Sequence, residues 1–253
     1  MSNVFDMTKK ELQAFLVAQG MKKFRADQIF HYIYKQNIFS WNDMVLLPKK
    51  DREQLKEVLP IYFPEVVSRL DAPDGQTVKL LLQLADGETV ETVLMKHDYG
   101  NSICVSSQVG CAVNCAFCAS AKNGFVRNLS AGEMVAQLLA FRKYVTPDLH
   151  SIVIMGTGEP LLNYDNVIRF MKLIHEKDTL YLAIATWPCR RRASSPRCTT
   201  WPRRHAHHPG RIPPCAERCL AAPHHADCRE ISSRRSPEGG LPLFRRHWPE
   251  GHL

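Results

Sequence analysis

Cys111, Cys115 and Cys118 fall within GCAVNCAFCASAKNGF at the spacing C-x3-C-x2-C. Three thiolates this close, with no fourth at a matching distance, suit an iron–sulfur cluster with one iron left open, because such clusters are ordinarily closed by four cysteines. The open iron can bind a substrate or cofactor, and chemistry would take place there. Zinc is the competing occupant, but zinc knuckles usually show paired C-x2-C or Cys-His spacing and no obvious fourth ligand stands nearby.

The loop needs a frame to hold it. ICVSSQ reads as a short strand running directly into the cysteines, and HSIVIMGTGEP as a buried strand ending in the Gly-rich turn Gly156-Thr157-Gly158-Glu159-Pro160. Between them, Ser130-Ala131-Gly132-Glu133 is a capping box that opens a helix with Met134, Val135, Leu138, Leu139 and Phe141 on its apolar face. Asn163 to Glu176 carries Val167, Ile168, Met171 and Ile174 at helical spacing. Strand, helix, strand, helix is the grammar of a parallel α/β structure, in which ligands gather at the carboxyl ends of the strands. The cysteine loop and the Gly-rich turn both fall at that edge.

Upstream, MTKKELQAFLVAQG pairs Thr8 with Glu11 in a second capping box and places Leu12, Phe15 and Leu16 on one face. FRADQIFHYIYKQN repeats the pattern with Phe24, Ile29, Phe30, Ile33 and Tyr34, and KKDREQLKEVLP adds a helix closed before Pro60. TVKLLLQL and TVETVLM flank Ala85-Asp86-Gly87-Glu88, and Asp-Gly between apolar strands predicts a type I′ hairpin. The expected organisation is a helical domain over 1–75, a hairpin with the first β/α units over 76–180, and a tail over 181–253.

That tail differs in kind. Residues 1–180 hold 14 Lys and 6 Arg against 20 acids, whereas 181–253 hold no Lys, 13 Arg and 5 acids, so the net charge of +8 arises wholly in the tail. A basic balance is elsewhere a footprint of nucleic-acid binding, and that inference does not carry here. The tail also holds 10 of 16 prolines, 7 of 11 histidines and 5 of 9 cysteines, with no valine and no apolar period. It reads as a segment translated out of frame from GC-rich codons, or else as a natural disordered basic tail. Its cluster of Cys215, Cys219, His224, His225 and Cys228 imitates a metal site by abundance of those types alone.

No run of about 18 apolar residues marks a membrane span, and no secretory leader is evident. Three of the four cysteines before the break sit in one motif, which points to reduced thiols in the cytoplasm.

CVSSQVGCAVNCAFCASAKNGFVRNLSAGEMVAQ together with IVIMGTGEPLLNYDNV resembles the radical S-adenosylmethionine enzymes, and within them the RlmN type of RNA methyltransferase, from the helical start to about Lys177. The resemblance implies an α/β fold in which the helical domain precedes a partial radical SAM β/α barrel, here interrupted after about residue 180. It implies a 4Fe-4S cluster on Cys111, Cys115 and Cys118, with S-adenosyl-L-methionine on the open iron and its amino group oriented by Gly158 and Glu159. It further implies methylation of adenine C2 in 23S rRNA and in tRNA; C2 is electron-poor, so polar methyl transfer fails there and a radical route is needed.

By position, Glu91 matches the family's proton acceptor. Cys104 matches the cysteine that resolves the covalent adduct through a disulfide. Taken without the resemblance, Glu91 equally fits the solvent face of a hairpin strand, and Cys104 a buried strand cysteine. The implied partners are the RNAs and an external electron donor such as flavodoxin, with the protein a monomer and no membrane involved. Lys22, Lys23, Phe24, Arg25, Lys49, Lys50 and Arg52 of the helical domain are candidates to meet RNA, or a solvated helix face. The family's methyl-carrying cysteine stands in a late Cys-Gly context, and none of the tail cysteines is followed by Gly. Two rival readings therefore stand beside the enzyme: a truncated, non-catalytic cluster-binding or RNA-binding remnant, and a Cfr-type C8 methyltransferase.

Translation of the underlying DNA past codon 180 in the other two frames tests the tail. One frame is expected to show barrel strands, helices and a late Cys-Gly; if neither does, the tail stands as written.

Overall fold

The structure, a computed structural model, describes residues 3–113, 118–121 and 124–186. The tail from 187 onward, including its Cys/His cluster, and Cys115 lie outside the described residues. Three helices open the chain. Helix α1 (Lys9–Ala18) starts at the Thr8/Glu11 capping box and turns Leu12 and Leu16 inward. Helix α2 (Arg25–Tyr34) buries Ala26, Ile29, Phe30, Ile33 and Tyr34, and α3 (Lys49–Val58) buries Leu55 and ends before Pro60. Phe24, expected in the apolar stripe of α2, instead precedes the helix and is 47% exposed, with the Arg25 guanidinium 4.7 Å from its ring centroid.

Strands β1 (Glu65–Asp71), β2 (Thr77–Gln83), β3 (Thr89–His97) and β4 (Gly100–Cys104) form an antiparallel meander. A short ribbon, β5 (Gln108–Gly110) with β6 (Phe125–Asn128), follows as a separate sheet. Helix α4 (Ala131–Tyr144) then leads to β7 (Ser151–Val153), and α5 (Tyr164–Ile174) to β8 (Ala183–Thr186). The main sheet runs β1-β2-β3-β4-β7-β8, with β4, β7 and β8 parallel. Two helical crossovers between three parallel strands are the opening units of a β/α barrel.

Two sequence expectations change. The β2–β3 connection is not the two-residue type I′ turn, which needs φ > 0 at both central positions. Gly87 (φ +88) is the loop's positive-φ residue, with Gly87 N–H donating to Leu84 O at 3.0 Å and Leu84 N–H to Glu88 O at 2.8 Å. That is a longer loop closed by a left-handed glycine. ICVSSQ is likewise not one strand: pairing with β3 stops at Cys104 and the chain joins the β5–β6 ribbon at Gln108. The last described strand, β8, ends at Thr186.

One face of the main sheet, with Val90, Thr92, Leu94, Ile103 and Ile152, is fully buried in a core shared with Met134, Val135, Leu138, Leu139 and Phe141 of α4 and Val167, Phe170 and Ile174 of α5. Helix α4 is buried nearly all round, which its low amphipathicity requires. The N-terminal segment clamps it. Asp6 accepts from Gly132 N–H at 2.6 Å and so caps the helix alongside Ser130, while Arg169 of α5 donates to Asp6 O at 2.7 and 2.9 Å and to Glu11 at 2.7 Å. Lys9 bonds Asp178 beyond α5 and Asp27 of α2.

This clamp reverses an ordinary substitution rule. Gly to Ala inside a helix normally stabilises by about 1 kcal/mol, but a Cβ on Gly132 would lie 2.8 Å from both the carboxylate and the backbone nitrogen of Asp6. Gly132→Ala is therefore expected to lower stability by roughly 1–3 kcal/mol through overpacking, read as a lower urea midpoint at unchanged slope.

Candidate active site: the cysteine loop and the Gly-rich turn

The β5–β6 ribbon delivers the cysteine loop. Gly110 has φ +71, and a Cβ there would fall 1.9 Å from Gly124 O, so only glycine lets the two strands close at this point. Cys111 follows at once, its N–H bonded to Gly124 O at 2.9 Å. Cys111 and Cys118 are free, partly exposed thiols. The ribbon's outer end is pinned by Arg127, which pairs with Asp86 on the β2–β3 loop and Glu133 of the α4 capping box at 2.6 and 2.7 Å. Burial would raise the Asp86 carboxyl, but the hydrogen bond and charge of Arg127 together with backbone N–H donors outweigh it and leave the carboxyl below its ordinary value.

The Gly-rich turn leaves β7 beside the segment joining β4 to β5. A Cβ on Gly156 would meet Ser106 Oγ at 2.6 Å, and one on Gly158 (φ +103) would meet Gln108 Cβ at 2.5 Å. Both glycines are there because another chain segment occupies the space of their side chains. Ser107 and Gln108 donate their N–H groups to Thr157 O at 2.9 and 3.2 Å, and Glu159 N–H donates to Gln108 Oε1 at 2.9 Å. Glu159 itself is partly exposed and caps a 3-10 turn over Pro160–Asn163.

Buried polar side chains hold these pieces together. Gln137, at the centre of α4 and fully buried, accepts at Oε1 from Thr92 Oγ (2.7 Å) and Ser106 N–H (2.9 Å), and donates from Nε2 to Ser106 O (3.0 Å). Ser106 Oγ donates to Glu91 O at 2.5 Å and accepts from Thr157 N–H at 2.9 Å. Asn163 donates to Ser107 O and Leu129 O, both at 2.7 Å. Leaving any one of these buried groups unpaired would cost about 1–3 kcal/mol.

None of Ser106, Gln108, Gln137 or Asn163 is singled out by the sequence expectations. A signal was present. Gln137 interrupts an apolar helix face and Ser106-Ser107-Gln108 interrupts an apolar strand, and buried polar residues are there to be hydrogen-bonded.

Glu91 and Cys104 are brought to one face of the sheet. Cys104 pairs with Val93, two residues on from Glu91, and side chains two apart on a strand share a face. This is the less buried face of the sheet, opposite that of Thr92 and Leu94. The Glu91 carboxylate is half exposed and bonded to Lys79 at 2.8 Å. The Cys104 thiol is pushed up by burial, opposed by a hydrogen bond with the Met155 backbone. A thiol held neutral resists premature oxidation, since the thiolate is the reactive form.

The residues present fit a cluster and its ligand. Cys111 and Cys118 are free sulfur donors, Cys111 directly follows the ribbon strand reached from the carboxyl end of β4, and the turn after β7 has glycines where a Cβ would meet Ser106 and Gln108.

Fold and site together resemble those of the radical SAM enzymes. Residues 105–194 match the radical SAM superfamily, and the solved radical SAM methyltransferase of Sphaerobacter thermophilus superposes with a TM-score of 0.69 at 40% identity, covering 72% of this chain and 55% of that one. Residues 2–61 match the ribosomal RNA large subunit methyltransferase N-terminal domain. Over 180 residues the chain is 45% and 46% identical to proteins named "Probable dual-specificity RNA methyltransferase RlmN" from Clostridium novyi and Clostridium acetobutylicum, covering 71% of this chain and 52% of each relative. Over its matched part the chain is similar to these RlmN proteins, and it spans about half the length of the curated relatives it matches. The radical SAM methyltransferases use a 4Fe-4S cluster and S-adenosylmethionine.

Because burial raises the Cys104 thiol, the midpoint of its iodoacetamide alkylation rate against pH is expected above about 8.5, where a free thiol is half ionised. Peptide mass mapping follows this residue separately from the other cysteines. A midpoint at or below the free-thiol value would show that burial does not govern it.

Proposed function

We propose that this chain carries the cluster-binding half of an RlmN-type enzyme that methylates C2 of adenine in 23S rRNA and tRNA. The reading rests on one observation: the three-cysteine loop and the Gly158–Glu159 turn are joined through Ser106–Gln108 at the carboxyl ends of parallel strands. Cys111, Cys115 and Cys118 hold the cluster, and Gly158 with Glu159 orient the amino group of S-adenosylmethionine. When bound, this pair supplies the one-electron chemistry that an electron-poor carbon requires.

The remaining roles belong to the chain's own side chains. Glu91 takes the C2 proton, its carboxylate aimed by the hydrogen bond from Lys79. Cys104 resolves the adduct by forming a disulfide with a methyl-carrying cysteine. Lys22, Lys23, Lys49 and Lys50, all exposed, are the RNA-facing cations of the helical domain. Arg25 and Arg52 are partly engaged within it, by Asp51 and by the Asn42 carbonyl. The protein works as a cytoplasmic monomer with an external donor such as flavodoxin; among the described residues no helix is long and apolar enough to cross a membrane.

A second reading, a remnant that binds the cluster without completing methylation, is favoured because none of the tail cysteines is followed by Gly.

Anaerobic reconstitution separates the two. Wild-type protein is expected to take up about four irons per chain, and Cys111→Ala or Cys118→Ala to abolish this. Methylation of a 23S rRNA fragment, mapped to adenine C2, supports the enzyme; cluster uptake without any methylated product supports the remnant.

A further inference from the structure

Gln108 stands three residues before Cys111 and is 1% exposed, yet it lies in a ribbon strand of only three residues. Its side-chain amide has a fixed orientation. Glu159 N–H can only donate, so Oε1 faces it, at 2.9 Å, and Nε2 is left to donate to Asn128 Oδ1 at 2.7 Å on β6. Asn128 in turn donates to Leu162 O at 3.2 Å, beyond the turn. The Gln108 backbone N–H also reaches Thr157 O, and its Cβ occupies the space Gly158 leaves vacant.

One side chain thus touches both strands of the ribbon that carries the cysteines and the backbone nitrogen of the residue in the Gly158–Glu159 turn. A glutamine that merely filled the ribbon would need only one of these bonds. A buried amide with both ends committed sets a distance.

We infer that Gln108 is a positioning residue: it fixes the spacing between the cysteine loop and the Gly158–Glu159 turn, and so the presentation of the S-adenosylmethionine amino group to the cluster. The inference rests on the cluster reading above. Gln108 contacts neither group; it acts through Glu159 and the ribbon.

The test uses the full chain with its cluster reconstituted, following iron content, thermal midpoint and the change that S-adenosylmethionine causes in the electron paramagnetic resonance spectrum of the reduced cluster. In Gln108→Met, iron content is expected to stay at the wild-type level while the S-adenosylmethionine concentration for half of the spectral change rises roughly tenfold, the effect of stranding a buried donor. Gln108→Glu is expected to recover to within roughly threefold, because a protonated carboxyl can accept from Glu159 N–H and donate to Asn128. Unchanged half-saturation in Gln108→Met overturns the inference. So does parallel loss of iron and thermal midpoint in both variants, which marks a purely structural role. Should Gln108→Met fail to fold, Asn128→Leu is read instead, with a rise of roughly threefold expected and no rise overturning it. If the wild-type cluster forms but shows no response to S-adenosylmethionine, the cluster reading itself fails; the wild-type control tells the two failures apart.

Discussion

The Gln137 amide is the constraint on which the site depends. Inside a low-dielectric core an amide must find partners on both of its ends, and those of Gln137 come from three elements: Thr92 on β3, Ser106 on the segment after β4, and the α4 helix that carries it. Ser106 extends the chain of bonds to Glu91 O and Thr157 N–H, and Gln108 extends it to Glu159 and Asn128. The hairpin strand with Glu91, the segment leading to the cysteines and the Gly-rich turn are therefore one hydrogen-bonded body. Hydrophobic burial could hold these pieces together, but it is non-directional and would not set their register.

The N-terminal helical segment has a structural part in this besides any contact with RNA. Asp6 caps α4, and Arg169 and Lys9 tie the segment to α5 and the residues beyond it. Helix α4, apolar on nearly all sides, needs such cover, and its position determines where Gln137 sits. The match of residues 2–61 to an RNA methyltransferase N-terminal domain thus has a physical counterpart in packing, since the segment and the radical SAM units share one core.

Much of this was legible because it is local. The capping boxes at Thr8/Glu11 and Ser130/Glu133, the apolar spacing of α1, α4 and α5, and the C-x3-C-x2-C loop are set by residues within a few positions of one another. Expectations that depended on long-range pairing fared differently. The Asp-Gly loop took a longer form because Gly87 carries the left-handed conformation without Asp86. The strand expected across ICVSSQ broke at Cys104, since β7 ends opposite that residue and Gln108 finds a new partner in β6.

The sequence by itself determined the capping boxes, the apolar helices and the thiol spacing that carries the resemblance, because spacing, capping and periodicity are properties of short windows of chain. Only the tertiary structure decided that Glu91 and Cys104 share a face, that Gly156 and Gly158 yield their side-chain space to Ser106 and Gln108, and that Gln137 joins them. Those relations link residues far apart in the chain, 31 and 45 positions for Gln137 with Ser106 and Thr92. A polar residue in an apolar pattern announces that it must be bonded. It does not announce to what, because its partner is chosen by the packing of distant elements around it.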